Sequence, residues 1–268
     1  MHESERHRVI LAAVQSRPMM TVADLCEVTG SSEATIRRDI AALDERGELR
    51  RVRGGAEAVN PPEQSALMGR PFSVNETINI AQKRAIARAA VDLCRDGEPI
   101  IINGGTTTYQ MVHHLTGRRL SVFTNSFAIA EYLIHNSRCS VVIPGGTVYR
   151  EQNVILSPFG GVVASHFYAK RMFLGCQGIG AHGLMEADPM VVQSELGLIG
   201  QADEVIVLAD SSKFSGRSSL ILCGLDRIAA VISDSGIRDE DRQMLETAGV
   251  RLIVADTSAS GERQAAVA

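Results

Sequence analysis

Lysine is missing from the first 56 residues of this 268-residue chain, and all nine basic residues there, from Arg6 to Arg53, are arginine. A guanidinium fork grips phosphates and guanines in a fixed geometry that a flexible ammonium does not impose. Nine acidic residues offset the nine arginines. The segment is therefore neutral, and affinity for nucleic acid has to come from local clustering between Arg37 and Arg53. The chain also lacks an apolar run of the roughly 20 residues that span a bilayer. Its opening residues, Met1-His2-Glu3-Ser4-Glu5-Arg6, contain no signal-peptide apolar stretch. A cytoplasmic protein with no membrane partner is expected. Cys26, Cys94, Cys139, Cys176 and Cys223 are odd in number and form no Cys-x-x-Cys pair. That speaks against a disulfide framework or metal site, and structural burial is expected for most of them. The histidines offer no ligand pattern either, since the adjacent His113 and His114 face different ways on a helix. No metal and no cofactor are expected. What remains, 45% hydrophobic and 22% charged residues with net charge −4, describes an ordinary globular protein. Its length suits a small domain of about sixty residues and a larger one with a substantial core.

Within the arginine-bearing segment, Ile36, Ile40 and Leu43 fall at i, i+4 and i+7, one buried stripe that leaves Arg37 and Arg38 pointing elsewhere. Ser32 is placed to cap this helix by accepting from the backbone near Thr35. Thr35, Arg37 and Arg38 then occupy the first turns, where a recognition helix meets base edges and phosphates. Upstream, Val22, Leu25 and Val28 mark a short helix capped by Thr21, and Gly30 permits the turn between the two. Val9, Ile10, Ala13 and Val14 supply a third helix, and Gly47 ends the recognition helix. A hairpin carrying Arg50, Arg51 and Arg53 follows. The spacing predicts a winged helix-turn-helix over residues 1–57, with Ser32, Thr35, Arg37, Arg38, Arg50, Arg51 and Arg53 as its DNA-binding residues.

Residues 58–76 contain Pro61-Pro62, Gly69 and Pro71 and read as a linker. A helical pattern resumes near Ile78, with Ile86, Ala89, Ala90 and Leu93 on one face, and helices then alternate with short β-rich runs. Seven strands are expected at Pro99–Asn103, Ser121–Thr124, Ser140–Ile143, Arg171–Leu174, Glu204–Leu208, Ala229–Ser233 and Arg251–Val254. Several are apolar on both faces, as buried parallel strands are. The second domain, residues 77–257, is thus read as α/β with a largely parallel sheet. The small polar tail, 258–268, is expected to be disordered.

Ligands of such sheets bind at the C-terminal ends of the strands. Here those ends carry Asn103-Gly104-Gly105-Thr106-Thr107-Thr108, Thr124-Asn125-Ser126, Gly145-Gly146 and Asp210-Ser211-Ser212-Lys213. Glycines allow close backbone approach, and hydroxyls with helix-start amides suit a phosphate. Lys213 would add charge, while Asn125 and Asp210 would bind hydroxyls. The other reading makes Asn125 and Asp210 helix caps and Lys213 a solvated side chain.

Residues 6–56, with Thr35-Ile36-Arg37-Arg38-Asp39 and Arg53-Gly54-Gly55-Ala56, resemble the helix-turn-helix of the DeoR family of bacterial transcriptional regulators. Ser16 and Met20 depart from the glycine and valine usual there. Residues from about Lys83 to Asp256 resemble the effector-sensing domain of the same family through Lys83, Gly104-Gly105-Thr106-Thr107, Thr124-Asn125-Ser126, Gly145-Gly146, Gly180 with Gly183, and Asp210-Ser211-Ser212-Lys213-Phe214. The resemblance implies a fold related to ribose-5-phosphate isomerase and a phosphorylated sugar as inducer. Gly104–Thr108 would hold the phosphate, with Asn125 and Lys213 lining the pocket. Gln152–Gly160 is similar to the branch of the family that represses L-ascorbate utilisation. One departure stands out: where the isomerases keep an acidic cluster, this chain reads Tyr168-Ala169-Lys170-Arg171, which cannot act as a carboxylate base.

Two function classes follow. One is a regulator, read as a repressor, that releases operator DNA when a phosphorylated sugar or sugar-acid effector binds. The other is a phosphosugar isomerase or hydrolase with a regulatory N-terminal domain, which the missing acid disfavours. One helix-turn-helix reads only a half-site, so a homodimer or homotetramer is expected.

Overall fold

The computed structural model describes residues 2–16, 20–59, 72–157, 165–216 and 218–257. The chain divides into two compact units, residues 1–65 and 66–268. Most of the span read as linker (60–71) and the whole tail (258–268) lie outside the described residues.

In the first unit, helices α1 (Glu3–Ser16), α2 (Val22–Thr29) and α3 (Glu33–Glu45) pack on an antiparallel sheet. Its strands β1 (Met20–Thr21), β2 (Leu49–Val52) and β3 (Gly55–Ala58) lie in the order β1-β3-β2. Ile10, Val14, Leu25, Ile36, Ile40, Leu43 and Leu49 fill the core. Thr21 and Ser32 cap α2 and α3 as expected, accepting from the backbone N–H of Asp24 and Thr35. On α2 the buried stripe is Val22, Leu25 and Thr29. Val28, expected inside, is exposed, because i, i+3 and i+7 share a face that i+6 does not. The Gly54-Gly55 pair has two separate causes. Gly54 turns the hairpin at φ 87°, whereas a Cβ on Gly55 would meet the Met20 carbonyl oxygen at 2.0 Å.

Asp39 closes this unit electrostatically. It is buried on the inner side of α3, where Arg6 of α1 binds it through Nε at 2.5 Å and Nη2 at 3.0 Å. His7 Nε2 lies 3.1 Å from the same carboxylate, and Arg46 Nη2 lies 3.0 Å from His7 Nδ1. Burial alone would raise the Asp39 pKa, but the Arg6 and His7 contacts outweigh it and hold the carboxyl below its usual value.

The second unit is built on seven parallel strands in the order β15-β14-β12-β9-β4-β5-β6. They are β4 (Pro99–Ile102), β5 (Ser121–Phe123), β6 (Ser140–Val142), β9 (Ala169–Leu174), β12 (Ala202–Leu208), β14 (Ala230–Asp234) and β15 (Arg251–Ala255). These coincide with the seven expected runs. Alternate residues feed two cores, so that Ile100, Ile102, Phe173 and Ile232 face one side and Ile101, Met172, Leu174 and Val231 the other. On the first side lie α5 (Ile80–Asp92), α7 (Val112–Leu115) and α8 (Phe127–Asn136), through Ile86, Leu115 and Leu133. On the second lie α9 (Pro189–Ile199) and α10 (Asp239–Thr247), through Leu198 and Leu245.

Several elements depart from the sequence expectation. The hairpin β7 (Thr147–Tyr149) with β8 (Val154–Leu156), and the antiparallel set β10 (Gly178–Gly180), β11 (Gly183–Glu186) and β13 (Leu220–Cys223), are too short to show alternation. A one-turn helix, α4 (Phe72–Asn75), stands inside the span read as linker, with Phe72 buried edge-on against Tyr109 at 5.7 Å. Finally, α6 (Thr106–Tyr109) begins at Thr106, several residues before the helix expected around Met111.

Candidate functional site

In the first unit, α3 and the β2–β3 hairpin flank a groove of about 430 Å³ lined by Arg37, Asp44, Arg51 and Arg53. The predicted arginines differ in freedom. Arg37 pairs with Glu33 at 3.1 Å, one turn away, and Arg50 pairs with Glu57 across the hairpin. Among the described residues no acceptor engages the side chains of Arg38, Arg51 and Arg53, and all three are exposed. The Ser32 hydroxyl is committed to the Thr35 backbone N–H and side chain, at 3.4 and 2.9 Å. Arginines with no internal partner are the ones available to an external phosphate or base edge.

The second unit has its pocket where the sheet topology demands one. From β4 the chain runs outward to β6, then returns to β9 on the other side of β4 before running outward to β15. The strand order reverses between β4 and β9, and a crevice opens beyond their C-terminal ends. Gly104, Gly105, Thr106 and Thr107 line it after β4, and Gly175, Cys176 and Gln177 after β9. Lys213 lines it as well, with Glu186, Glu195, Gln152 and Val154, and Phe72 and Asn75 of α4 form a wall. The cleft holds about 60 Å³. Small-molecule sites run to roughly 300 Å³ or more, so an occupant larger than a few waters must push a wall outward.

Gly104 is required by packing. A Cβ there would stand 2.3 Å from Val154 Cγ1, and its N–H donates to Asn125 Oδ1 at 2.8 Å. Asn125 thus orders the loop from behind and is not a helix cap. Asn103 is also behind it, donating to Glu195 Oε1 at 2.5 Å. The other strand-end residues take different places. Thr108 donates to the Gly105 carbonyl at 3.0 Å, Thr124 Oγ1 accepts from Ser126 N at 3.0 Å, and Ser126 Oγ caps α8. All three are buried with their hydroxyls so engaged, and none lines the crevice. Gly145 and Gly146 lie in the turn into β7, outside the lining as well. Asp210 caps the 3-10 turn Ser211–Phe214, which presents Lys213 to the crevice. The cap reading therefore describes Asp210, while Lys213 is half-buried at the crevice.

The expected place for a missing acid needs correction. Lys170 and Arg171 sit at the start of β9, the end of the sheet opposite the crevice, where Lys170 pairs with Asp203 and Arg171 with Glu98 and Glu204. Neither side chain lines the crevice. The crevice has acids of its own, Glu186 and Glu195, which sequence reasoning missed. Glu186 closes strand β11 and Glu195 lies within α9, neither at the end of a parallel strand where pocket residues are expected. Lys83 stands behind the wall of the crevice. Buried on α5, it is pulled down to about 8 by desolvation, with Asp210 acting in the opposite direction, and its Nζ donates to the Asn75 carbonyl of the wall.

Among the described residues, no three metal-ligating side chains come together, and no helix is long and apolar enough to cross a membrane. Only Cys94 of the five cysteines is fully buried, the others being half-buried.

Residues 6–61 match the DeoR-like helix-turn-helix domain, and residues 78–235 match the DeoR C terminal sensor domain. The HTH-type transcriptional regulator UlaR of Shigella sonnei is 34% identical over 256 residues, covering 94% of this chain and 99% of that protein. The protein of the same name in Escherichia coli strain K12 / DH10B is 33% identical over the same shares. Ribose 5-phosphate isomerase A from Methanocaldococcus jannaschii aligns over 49% of this chain and 53% of its own, at 18% identity and a TM-score of 0.37. A likeness that slight carries no argument.

Proposed function

Because the chain belongs to the DeoR family of helix-turn-helix transcriptional regulators, we propose that it is a repressor in which residues 1–57 hold operator DNA and a phosphorylated sugar or sugar acid, bound in residues 77–257, releases it. Residues 58–76 join the two domains. Arg38, Arg51 and Arg53 carry the DNA contacts, with Arg37 and Arg50 exchanging their internal carboxylates for phosphates. The Gly104–Thr107 backbone and the Lys213 ammonium hold the phosphate. A homodimer or homotetramer presents two wings to a two-fold operator.

The observation that carries the switch is the wall of the crevice. Phe72 and Asn75 line the crevice, and their helix α4 opens the described part of the second unit. The Phe72 N–H donates to the Glu151 carbonyl at 2.7 Å, and Lys83 Nζ reaches the Asn75 carbonyl. A cleft of about 60 Å³ admits a sugar phosphate only by moving a wall, and α4 is the wall tied to the linker. Such a ligand binds the open and closed forms with different affinity, which is the condition for shifting the equilibrium. The reading is that of a sensor without turnover.

The test is binding of the purified protein to its own upstream DNA at fixed salt, with a panel of phosphorylated sugars and sugar acids. Release by one compound, lost on Lys213→Ala while DNA affinity stays, supports the proposal. Sustained product formation from any of them, without effect on DNA binding, supports the enzyme reading.

A further inference from the structure

The turn that joins the recognition helix to the wing is held by a chain of polar groups that passes through one histidine. His7 of α1 is 8% exposed. Its Nε2 lies 3.1 Å from Asp39 Oδ1 on α3, and its Nδ1 lies 3.0 Å from Nη2 of Arg46, the residue that closes α3. Arg46 in turn pairs through Nε with Glu48 at 2.7 Å, one residue before β2 opens the wing. Asp39 stays ionised through the range in which a histidine titrates, about pH 8 to 5, because the Arg6 and His7 contacts hold its pKa down. A carboxylate only accepts and a guanidinium only donates. The ring that fits between them is neutral, with its proton on Nε2 for Asp39 and its lone pair on Nδ1 for Arg46. From α1 itself, Arg6 shares the same carboxylate. The other elements packed on α1, namely α2 and β3, give His7 no hydrogen-bond or ion-pair partner among the described residues.

We propose that His7 is a positioning residue for DNA binding, its neutral ring bracing Arg46 and with it the joint between recognition helix and wing, and that protonation of the ring releases this brace. A second proton keeps the Asp39 contact and changes the other. It puts an N–H on Nδ1 opposite the Arg46 guanidinium, so that an accepted hydrogen bond becomes two donors of like charge face to face. The recognition helix carries Arg38 and the hairpin carries Arg51 and Arg53, so operator binding depends on the angle between the two elements. The general effect of acid is the opposite one, since protonated histidines strengthen sequence-independent attraction to phosphates. A loss of specific affinity as pH falls is therefore the signature of the brace. The inference rests on the DNA-binding role of the first unit and is independent of the crevice.

The test uses the full chain and a fluorescent duplex of its own upstream DNA, with a scrambled duplex as control, titrated at one salt concentration between about pH 8 and 5.5. The specific affinity of the native protein should fall about fivefold over that range, the order of one hydrogen bond, while the scrambled duplex binds equally or more tightly in acid. His7→Gln cannot take up a proton, and its affinity should not change with pH. Arg46→Gln removes the braced group from an exposed position, and should bind at the native protein's acid level throughout. A native affinity that is flat or rises in acid overturns the proposal, and so does a fall that either variant retains. Cooperative unfolding at both ends of the range is the control for folding, and if His7→Gln fails it, the Arg46→Gln profile decides. Histidine ring nitrogen shifts, read without DNA, should show the proton on Nε2 of His7 at the upper pH, and a proton on Nδ1 there overturns the brace directly. If the upstream duplex is not preferred over the scrambled one at the upper pH, the DNA-binding reading falls and the positioning role falls with it.

Discussion

Asp39 in the first unit and Glu195 in the second are both buried carboxyl groups, and they are treated in opposite ways. Asp39 is met by Arg6 at 2.5 and 3.0 Å and by His7 at 3.1 Å, and its pKa is held down. Glu195 is met by one amide, keeps an unpartnered oxygen, and its pKa is pushed up. The satisfied acid ties α1 to α3 and so fixes where the recognition helix points. The unsatisfied one lines a crevice. Paired buried charge marks architecture, and unpaired buried polarity marks a place that awaits something from outside.

The strongest way to break the comparison is to remove one acid from each unit. Asp39→Asn leaves the Arg6 guanidinium with half its partner, and should destabilise the first unit by about 3 kcal/mol in a urea unfolding series. Glu195→Gln removes a disfavoured group and should leave stability within about 1 kcal/mol of the native value. Equal losses would mean that both acids are structural.

A second contrast concerns space. Gly104→Ala places a Cβ 2.3 Å from Val154 Cγ1, and overpacking of that kind costs about 2 kcal/mol. It should also abolish the effector response with DNA affinity intact, and Val154→Ala in the same chain should restore stability. No recovery would show that the loop, and not the close approach, sets the requirement.

Within the first unit, Arg38→Ala should cost about 2 kcal/mol of specific operator binding if the side chain reads a base. Arg37→Ala, which first has to lose a Glu33 partner at 3.1 Å, should cost less, about 0.5 kcal/mol. Matched losses measured at fixed salt would remove the distinction between free and paired arginines.

The smallest effect sharpens the comparison through pH. Asp39, with its folded pKa lowered from 3.8, adds stability above that value that is lost as pH falls through the folded one. Glu195, raised above 4.5, runs the other way: its contribution is full below that value and declines as pH rises through the folded pKa. Unfolding free energies across pH should show Glu195→Gln flattening the decline on the upper side alone. An unchanged slope would place the proton elsewhere.

The same division explains what was legible in the sequence. Caps, stripes and the glycine hairpin of the first unit depend on residues within a few positions of one another, so Ser32, Ile36 and Gly54 could be read directly. All seven parallel strands announced themselves as apolar runs. The crevice was legible only where a strand end carried a run of small polar residues, as at Gly104–Thr107. Glu186 and Glu195 reach it by topology, 82 and 91 positions after Gly104, and nothing in their neighbours signals that. Lys170 and Arg171 misled for a related reason, since chain position does not say which end of a strand faces the ligand. Thr108, Thr124 and Ser126 look like pocket residues in sequence, yet their hydroxyls serve the turns that shape it.

The central claim is that one chain couples two sites, and coupling is reciprocal. The direct measurement is operator affinity with and without a saturating amount of the phosphorylated sugar or sugar acid that releases DNA in the panel, alongside the affinity for that compound with and without operator. The account predicts that each weakens the other by the same factor, on the order of tenfold or more. Affinities that are independent of one another would contradict it, however tightly each ligand binds alone.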